Sequence, residues 1–216
     1  QGLVFAAQRA DAIDFDAFVA GIDARIGATR GLARYGHHHR AGYDVACNWK
    51  VYVDNYLEGY HVPHIHPGLN KLLDYRSYVT ETGAWYSHQW SPLESGEGLY
   101  GDGDALYYWL WPNTMLNILP GRLQTNRVVP KGLDRCRVEF DFYYADDESD
   151  AGRARRAADL AFSDEVQVED LTICEDVQRG LASGSYVPGR LNPLRENAVH
   201  HFHELLRRVY RDATRS

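Results

Sequence analysis

Between Arg135 and Tyr144 the chain alternates apolar with polar positions: Cys136, Val138, Phe140, Phe142 and Tyr144 on one side, Arg135, Arg137, Glu139, Asp141 and Tyr143 on the other. Period two is the mark of a strand with one face buried and one wet. Further strands are predicted over Arg76–Ser91, Leu106–Trp111, Thr114–Leu119 and Arg122–Pro130, with a short one over Leu3–Ala7 and a hairpin-like stretch over Leu32–Cys47. Helical spacing takes over at Phe15–Ile26, Asn48–His61 and Arg153–Leu181, the last closing near Gly180 or Gly184, and again in a C-terminal helix that carries His200, His201 and His203. Sequential strands followed by long helices predict an α+β domain: an antiparallel sheet with the helices gathered on one face.

The helix over Asn48–His61 has the densest chemistry. Trp49, Val53, Tyr56, Leu57 and Tyr60 form its apolar stripe, and Asp54, Glu58 and His61 fall together on its flank. Pro63 opposes continuation, so a turn carries His64 and His66. That turn allows His66 to swing back toward His61, which a straight helix would hold about 140° away. Two imidazoles with carboxylates one turn back suit a divalent transition metal. Surface or core histidines are the competing reading of HVPHIH alone, and a third ligand is required.

The long helix supplies a candidate. Val166, Ile173, Cys174, Val177 and Leu181 lie within about 60° of Asp170, whereas Asp164, Glu165, Glu169, Glu175 and Asp176 point to the expected solvated face. A carboxylate inside an apolar stripe is costly unless it meets a cation, a metal or strong donors. Asp170 is therefore the anomalous acid, with a buried Asp–Arg pair as the alternative to metal ligation. Two histidines and one carboxylate with open positions form the facial arrangement of non-haem Fe(II) oxygenases.

Composition narrows the field. The 216 residues are 44% hydrophobic and carry a net charge of −7, enough for one sizeable core and opposed to nucleic-acid binding, which wants a basic stripe. No run approaches a membrane span, and three scattered cysteines make no disulfide framework. Cytoplasmic location is the expectation. His37–His39 reads as a solvated loop, and Glu94–Gly103 as a flexible loop with the character of a lid. The histidines near the C-terminus read as packing and helix-end residues. Trp85, Tyr108, Trp109 and Trp111 read as sheet core or as a cage for a quaternary ammonium or aromatic ligand.

NWKVYVDNYLEGYHVPHIHPGL (residues 48–69), followed in order by WPNTMLNILPG, RVVPKG, EDLTICEDVQRGL and LNPLRENAVHHFHELL, resembles the catalytic part of the α subunit of Rieske non-haem iron oxygenases. Its nearest branch is that of the choline, glycine-betaine and carnitine oxygenases. The resemblance runs from about Ala41 to Tyr210. It implies a helix-grip fold of the Bet v1/START kind, with a pocket between a curved sheet and the long helices. It implies His61, His66 and Asp170 as ligands of one mononuclear Fe(II). It further implies Glu58 as the acid facing the Rieske centre of a neighbouring subunit, with Asn55 beside the iron and Asp54 preceding it.

The implied reaction is O2-dependent hydroxylation or oxidative demethylation of a small organic substrate, aromatic or quaternary amine, by mono- or dioxygenation. The implied partners are a ferredoxin or reductase donor and two further copies in a homotrimer. Cys47, Cys136 and Cys174 lack the paired spacing that a Rieske [2Fe–2S] cluster needs, so residues 1–216 are expected to form a single catalytic domain, with the cluster in an N-terminal domain that this chain lacks. Two other functions share these residues: a metal-free helix-grip ligand-binding module, and a zinc hydrolase at the same triad with Glu58 as general base.

Overall fold

The computed structural model describes residues 3–6, 13–27, 31–93 and 98–215. Seven antiparallel strands form one curved sheet in the order β1-β7-β6-β5-β4-β3-β2. They are β1 (Gly36–Val45), β2 (Val79–Thr82), β3 (Tyr86–Pro92), β4 (Asp104–Leu110), β5 (Thr114–Leu119), β6 (Arg122–Pro130) and β7 (Cys136–Tyr144). From β2 to β7 each strand pairs with the next in sequence, and β1 closes against β7. The alternation read in β7 is borne out: Val138, Phe140 and Phe142 are buried, and the residues between them are partly exposed.

One face of the sheet carries the long helices. These are α3 (Trp49–Tyr56), α6 (Asp150–Ala182) and α7 (Asn197–Ala213), with the short α4 (Val62–Ile65) and α5 (Pro67–Leu72) after α3. Between helices and sheet, Val53, Leu57, Trp109, Met115, Val138, Phe140, Phe202 and Leu205 form the main core. The opposite face has its own smaller core. There α2 (Ile22–Ile26), which follows α1 (Phe15–Phe18), brings Ile22 and Ile26 against Tyr108, Leu116 and Ile118.

Several elements depart from the sequence reading. Residues 3–6 are irregular, and residue 7 lies outside the described residues. The helix over Phe15–Ile26 is broken at Gly21, whose φ of 88° suits glycine. Leu32–Cys47 is no hairpin but a 3-10 turn leading into the single long strand β1. His37–His39 thus lie on a strand, although they stay exposed; His37 Nε2 is 2.9 Å from Asp141 Oδ1. Arg76–Ser91 is split into β2 and β3 by the turn at Gly83. Of the expected lid, residues 94–97 lie outside the described residues, and 98–103 form turns and bends.

Tyr108 and Trp109 are sheet core. Trp109 packs on Phe202 at a centroid distance of 5.2 Å, while Tyr108 faces the opposite side of the sheet, so neither builds a ligand cage.

Candidate metal centre and pocket

Asn48 caps α3 by accepting from Lys50 N, and the helix stops at Tyr56, a turn and a half before the expected end. The chain then passes so close to Tyr78 that a Cβ on Gly59 would fall 2.6 Å from its ring. Glu58 and His61 are therefore turn residues. Pro63 sits in the first turn of α4, where its missing N–H has no helical partner to lose. The fold-back predicted from Pro63 occurs, but the short helix α4 makes it.

His61 and His66 end 3.2 Å apart, Nε2 to Nε2. Asp170, on α6, places Oδ1 3.1 Å from His66 Nε2 and 3.9 Å from His61 Nε2. One ligand atom from each of the three falls within 4.8 Å of the other two, the single such group among the described residues. Each imidazole is held from behind: Glu58 Oε1 lies 2.5 Å from His61 Nδ1, and Glu169 Oε2 lies 2.7 Å from His66 Nδ1. Carboxylates there fix the ring orientation and keep the proton on Nδ1, leaving Nε2 free to bind a metal. Asn55 Nδ2 donates to Asp170 Oδ1 at 2.6 Å.

Within this cluster His66 titrates above the ordinary imidazole value. Burial alone would lower it, but the hydrogen bond and charge of Asp170, then those of Glu169, outweigh that.

Asp54 is the expected site residue that the structure does not bring to this cluster. It turns toward α7, where its carboxylate oxygens lie 2.9 and 3.1 Å from His203 Nε2. Burial raises its pKa, against the opposing pull of His203. Glu169 departs from expectation in the other direction. It was assigned to the wet face, yet it is His66's partner and its side chain is 25% exposed.

The phase of α6 is nonetheless the expected one: the buried Arg156, Asp159, Ser163, Gln167 and Cys174 lie within about 60° of Asp170, and Glu169 reaches His66 because that ring lies beside the helix. The apolar stripe departs from expectation only toward the C-terminal end, where Val177 and Leu181 are 45% and 40% exposed. Asp164, Glu165 and Asp176 are exposed as expected, and acids of this outer face tether α6: Tyr43 OH donates to Asp164, and Ala46 N to Glu175.

Phe162, Ser163, Val166, Gln167 and Asp170 of α6 line a cavity between helix and sheet. His61, His66 and Asp170 form part of its wall. Leu69, Leu72, Leu119, Phe140 and Phe162 supply apolar surface, and Tyr56, Tyr78 and Tyr107 supply rings. At one side Arg122 forms a buried pair with Asp159, Nη1 to Oδ1 at 2.6 Å, closed by the hydroxyls of Tyr100 and Tyr144. The apolar periodicity of the sequence held no sign of this polar network. Its only trace was the row of polar residues at helical spacing from Arg156 to Gln167.

The donor set suits a divalent transition metal: two buried or half-buried imidazoles oriented through Nδ1, one carboxylate, and an open side toward the cavity. The chain is thus a helix-grip domain whose pocket adjoins a candidate mononuclear metal centre.

Residues 32–212 match the family described as ring hydroxylating alpha subunit (catalytic domain), and the chain belongs to that family. Choline monooxygenase, chloroplastic, of Arabidopsis thaliana is 42% identical over 178 residues, which covers 77% of this chain and 40% of that protein. The carnitine monooxygenase oxygenase subunit of Escherichia coli (strain K12) is 32% identical over 180 residues, 76% of this chain and 47% of that subunit. A solved quaternary ammonium Rieske monooxygenase shares the fold, with TM-score 0.79 and 24% identity over 91% of this chain and 56% of that one. The chain therefore spans about two fifths to one half of the length of these curated relatives. Catalytic domains of Rieske oxygenases use a mononuclear non-haem iron.

Proposed function

We propose that this chain is the catalytic domain of a Rieske-type monooxygenase, with His61, His66 and Asp170 as ligands of one Fe(II) and a quaternary amine as substrate in the adjoining cavity. The observation that carries the reading is the convergence of those three ligand atoms within 4.8 Å on the cavity wall. The names of the two curated relatives support the substrate class. Iron held by these residues would supply the binding and activation of O2.

The chain's own residues do the rest. Glu58 and Glu169 hold the Nδ1 protons of the two imidazoles and keep both Nε2 lone pairs aimed at one point. Asn55 fixes the rotamer of Asp170. The apolar residues of the cavity exclude water and hold the substrate carbon to be hydroxylated beside the triad. Hydroxylation of a methyl or methylene next to the nitrogen would give a carbinol that breaks its C–N bond, releasing an aldehyde, the tertiary amine and a proton. Hydroxylation farther along the chain would give an alcohol. In either case the second oxygen atom of O2 leaves as water with two electrons from the donor and two protons.

Electrons, in this proposal, come from a [2Fe–2S] centre in another domain of the whole protein, fed by a ferredoxin or reductase. Cys47, Cys136 and Cys174 are buried in the core of this one. The solved quaternary ammonium Rieske monooxygenase is described with inter-subunit electron transfer. We extend that to a homotrimer in which Glu58, at the partly exposed rear of His61, faces the donor of a neighbouring copy. Three free buried thiols suit a reducing cytoplasm.

The test is anaerobic titration of the chain with Fe(II), followed by O2-dependent oxidation of quaternary amines by the protein that includes its cluster domain, supplied with reductase. One iron per chain and a hydroxylated or demethylated product are expected. Zinc retention with hydrolysis, or ligand binding without metal, would replace this reading by one of the two alternatives.

A further inference from the structure

The three proposed ligands belong to two separate pieces of chain. His66 and Asp170 are held by one of them, since Glu169 bonds the rear of the His66 ring from the residue next to Asp170 on α6. His61 belongs to the other: Glu58, three residues before it, holds its ring within the turn that leaves α3. His61 Nε2 and Asp170 Oδ1 lie 3.9 Å apart, a wider gap than the 3.2 and 3.1 Å that separate His66 Nε2 from the same two atoms. How well the triad closes on one ion thus depends on how α3 is seated against α6.

Two side-chain hydrogen bonds run from α3 to α6. Asn55 Nδ2 donates to Asp170 Oδ1 at 2.6 Å, and Tyr52 OH donates to Gln167 Oε1 at 2.7 Å. Tyr52 lies three residues before Asn55, and Gln167 three before Asp170, so the second bond joins the same pair of helix faces as the first. Apolar contacts of α3 through Val53 and Leu57 resist separation but have no direction along the helix. A hydrogen bond has one, because its length and angle tolerate little displacement.

Packing does not account for the hydroxyl. Tyr52 is 4% exposed and belongs to the main core with Val53 and Cys174. Phenylalanine would fill that space as well, without the cost of burying a phenol. Burial, then the charge of Asp170, holds the phenol well above its ordinary titration range, so it stays a donor. Gln167 is 2% exposed, and loss of the phenolic O–H would leave its carbonyl oxygen with neither partner nor water. The bond is a directional tie one helical turn from the proposed carboxylate ligand.

We propose that Tyr52 is a positioning residue of the metal centre: its hydrogen bond to Gln167 sets the seating of α3 on α6 and so, through Asn55, aims Asp170 Oδ1 at the point where His61 and His66 converge. The proposal rests on the Fe(II) reading above and assigns the aim of its carboxylate to Tyr52 and Gln167, neither of them a proposed ligand.

Tyr52→Phe and Gln167→Met remove the bond from either side at nearly unchanged volume. In equilibrium dialysis each should lower Fe(II) affinity by about three- to tenfold, less than the 10- to 100-fold of a group that bonds a ligand directly. The double variant should be no weaker than the poorer single one, because both substitutions remove the same interaction. Loaded to full occupancy with Co(II), each single variant should show visible bands shifted from those of the wild type. Lower stability alone does not change the geometry of an occupied site, and melting curves of the metal-free proteins record stability separately. Unchanged Fe(II) affinity or unchanged Co(II) bands in Tyr52→Phe overturn the proposal, as do losses that add in the double variant. Should Tyr52→Phe not fold, Gln167→Met decides by the same two readings. Failure of the wild type to bind Fe(II) would overturn the metal reading and this inference with it, whereas wild-type behaviour of the variants overturns this inference alone.

Discussion

Glu169 Oε2 lies 2.7 Å from His66 Nδ1, so two adjacent acids of one helix reach opposite nitrogens of a single imidazole: Glu169 the rear, Asp170 the front at 3.1 Å. Neighbouring helix positions diverge by about 100°. Both can touch His66 only because its ring, 1% exposed, lies against the flank of α6 rather than over its crest.

That geometry sets the outcome of two substitutions. Asp170→Ala removes the proposed carboxylate ligand and should abolish Fe(II) retention while the fold survives, since loss of the acid also removes the cost of burying it. Glu169→Ala should lower Fe(II) affinity by about 10- to 100-fold without abolishing it, the usual range for a group that orients a ligand. Equilibrium dialysis against iron with the two variants in parallel is the measurement. Unchanged affinity in Glu169→Ala would mean that its bond to His66 does nothing for the metal.

Glu58 stands in the same relation to His61, 2.5 Å from Nδ1, but at the rim, where its side chain is 11% and that of His61 16% exposed. In the whole protein, Glu58→Gln should keep iron bound while slowing its reduction, because the amide retains a bond to the imidazole and loses the charge. Stopped-flow reduction with iron analysis on the same sample separates the two effects. Loss of most of the iron would instead make Glu58 a ligand.

The metal-free site should also respond to pH. The His66 pKa is raised when folded, so the stabilisation it gives is complete below the unfolded imidazole value of about 6.5 and is lost as pH rises through the higher folded value. Apo protein should therefore lose this contribution toward alkaline pH. Metal binding, which needs the neutral ring, should strengthen over the same interval. Melting curves of apo wild type and His66→Asn across that range should differ in slope. Parallel curves would show that the charged network around His66 does not contribute.

Much of the fold was legible because local patterning and tertiary role agreed. The bounds of β5 and β6 were readable to the residue, and β7 to within one, since β7 alternates buried with partly exposed positions and β5 is buried on both faces between turn residues. His61, His66 and Asp170 were legible as a set because a turn proline and a misplaced acid are both local signals.

What escaped the sequence has tertiary causes. β1 is an edge strand, polar enough in GHHHRAGYDV to pass for a loop, as edge strands often are. α3 ends where Gly59 must clear the ring of Tyr78, a neighbour remote in sequence. The inner side of α6 was placed correctly around Asp170, but its polar character was not foreseen: Asp159 and Gln167 are 2% exposed, while Val177, on the same side nearer the end of the helix, is 45% exposed. Hydrophobic periodicity marks the buried side of a helix by its apolar positions and is blind to the polar ones among them.

The aromatic residues read as either core or cage give the last prediction. Trp109 is fully buried, lies edge-on to Phe202 and Trp111 at 5.2 and 6.1 Å, and is absent from the cavity wall. Phe202 in turn packs on Trp49 at 5.8 Å, so this cluster joins the sheet to α7 and to the start of α3. Phe202→Ala should therefore cost about 3–5 kcal/mol of stability, the range for truncating a buried aromatic. Since the site itself is untouched, iron stoichiometry at low temperature should stay at the wild-type value. Denaturant unfolding, with iron analysis well below the melting point, checks both halves. A small stability loss with a large loss of iron would place this cluster in the service of the site rather than of the core.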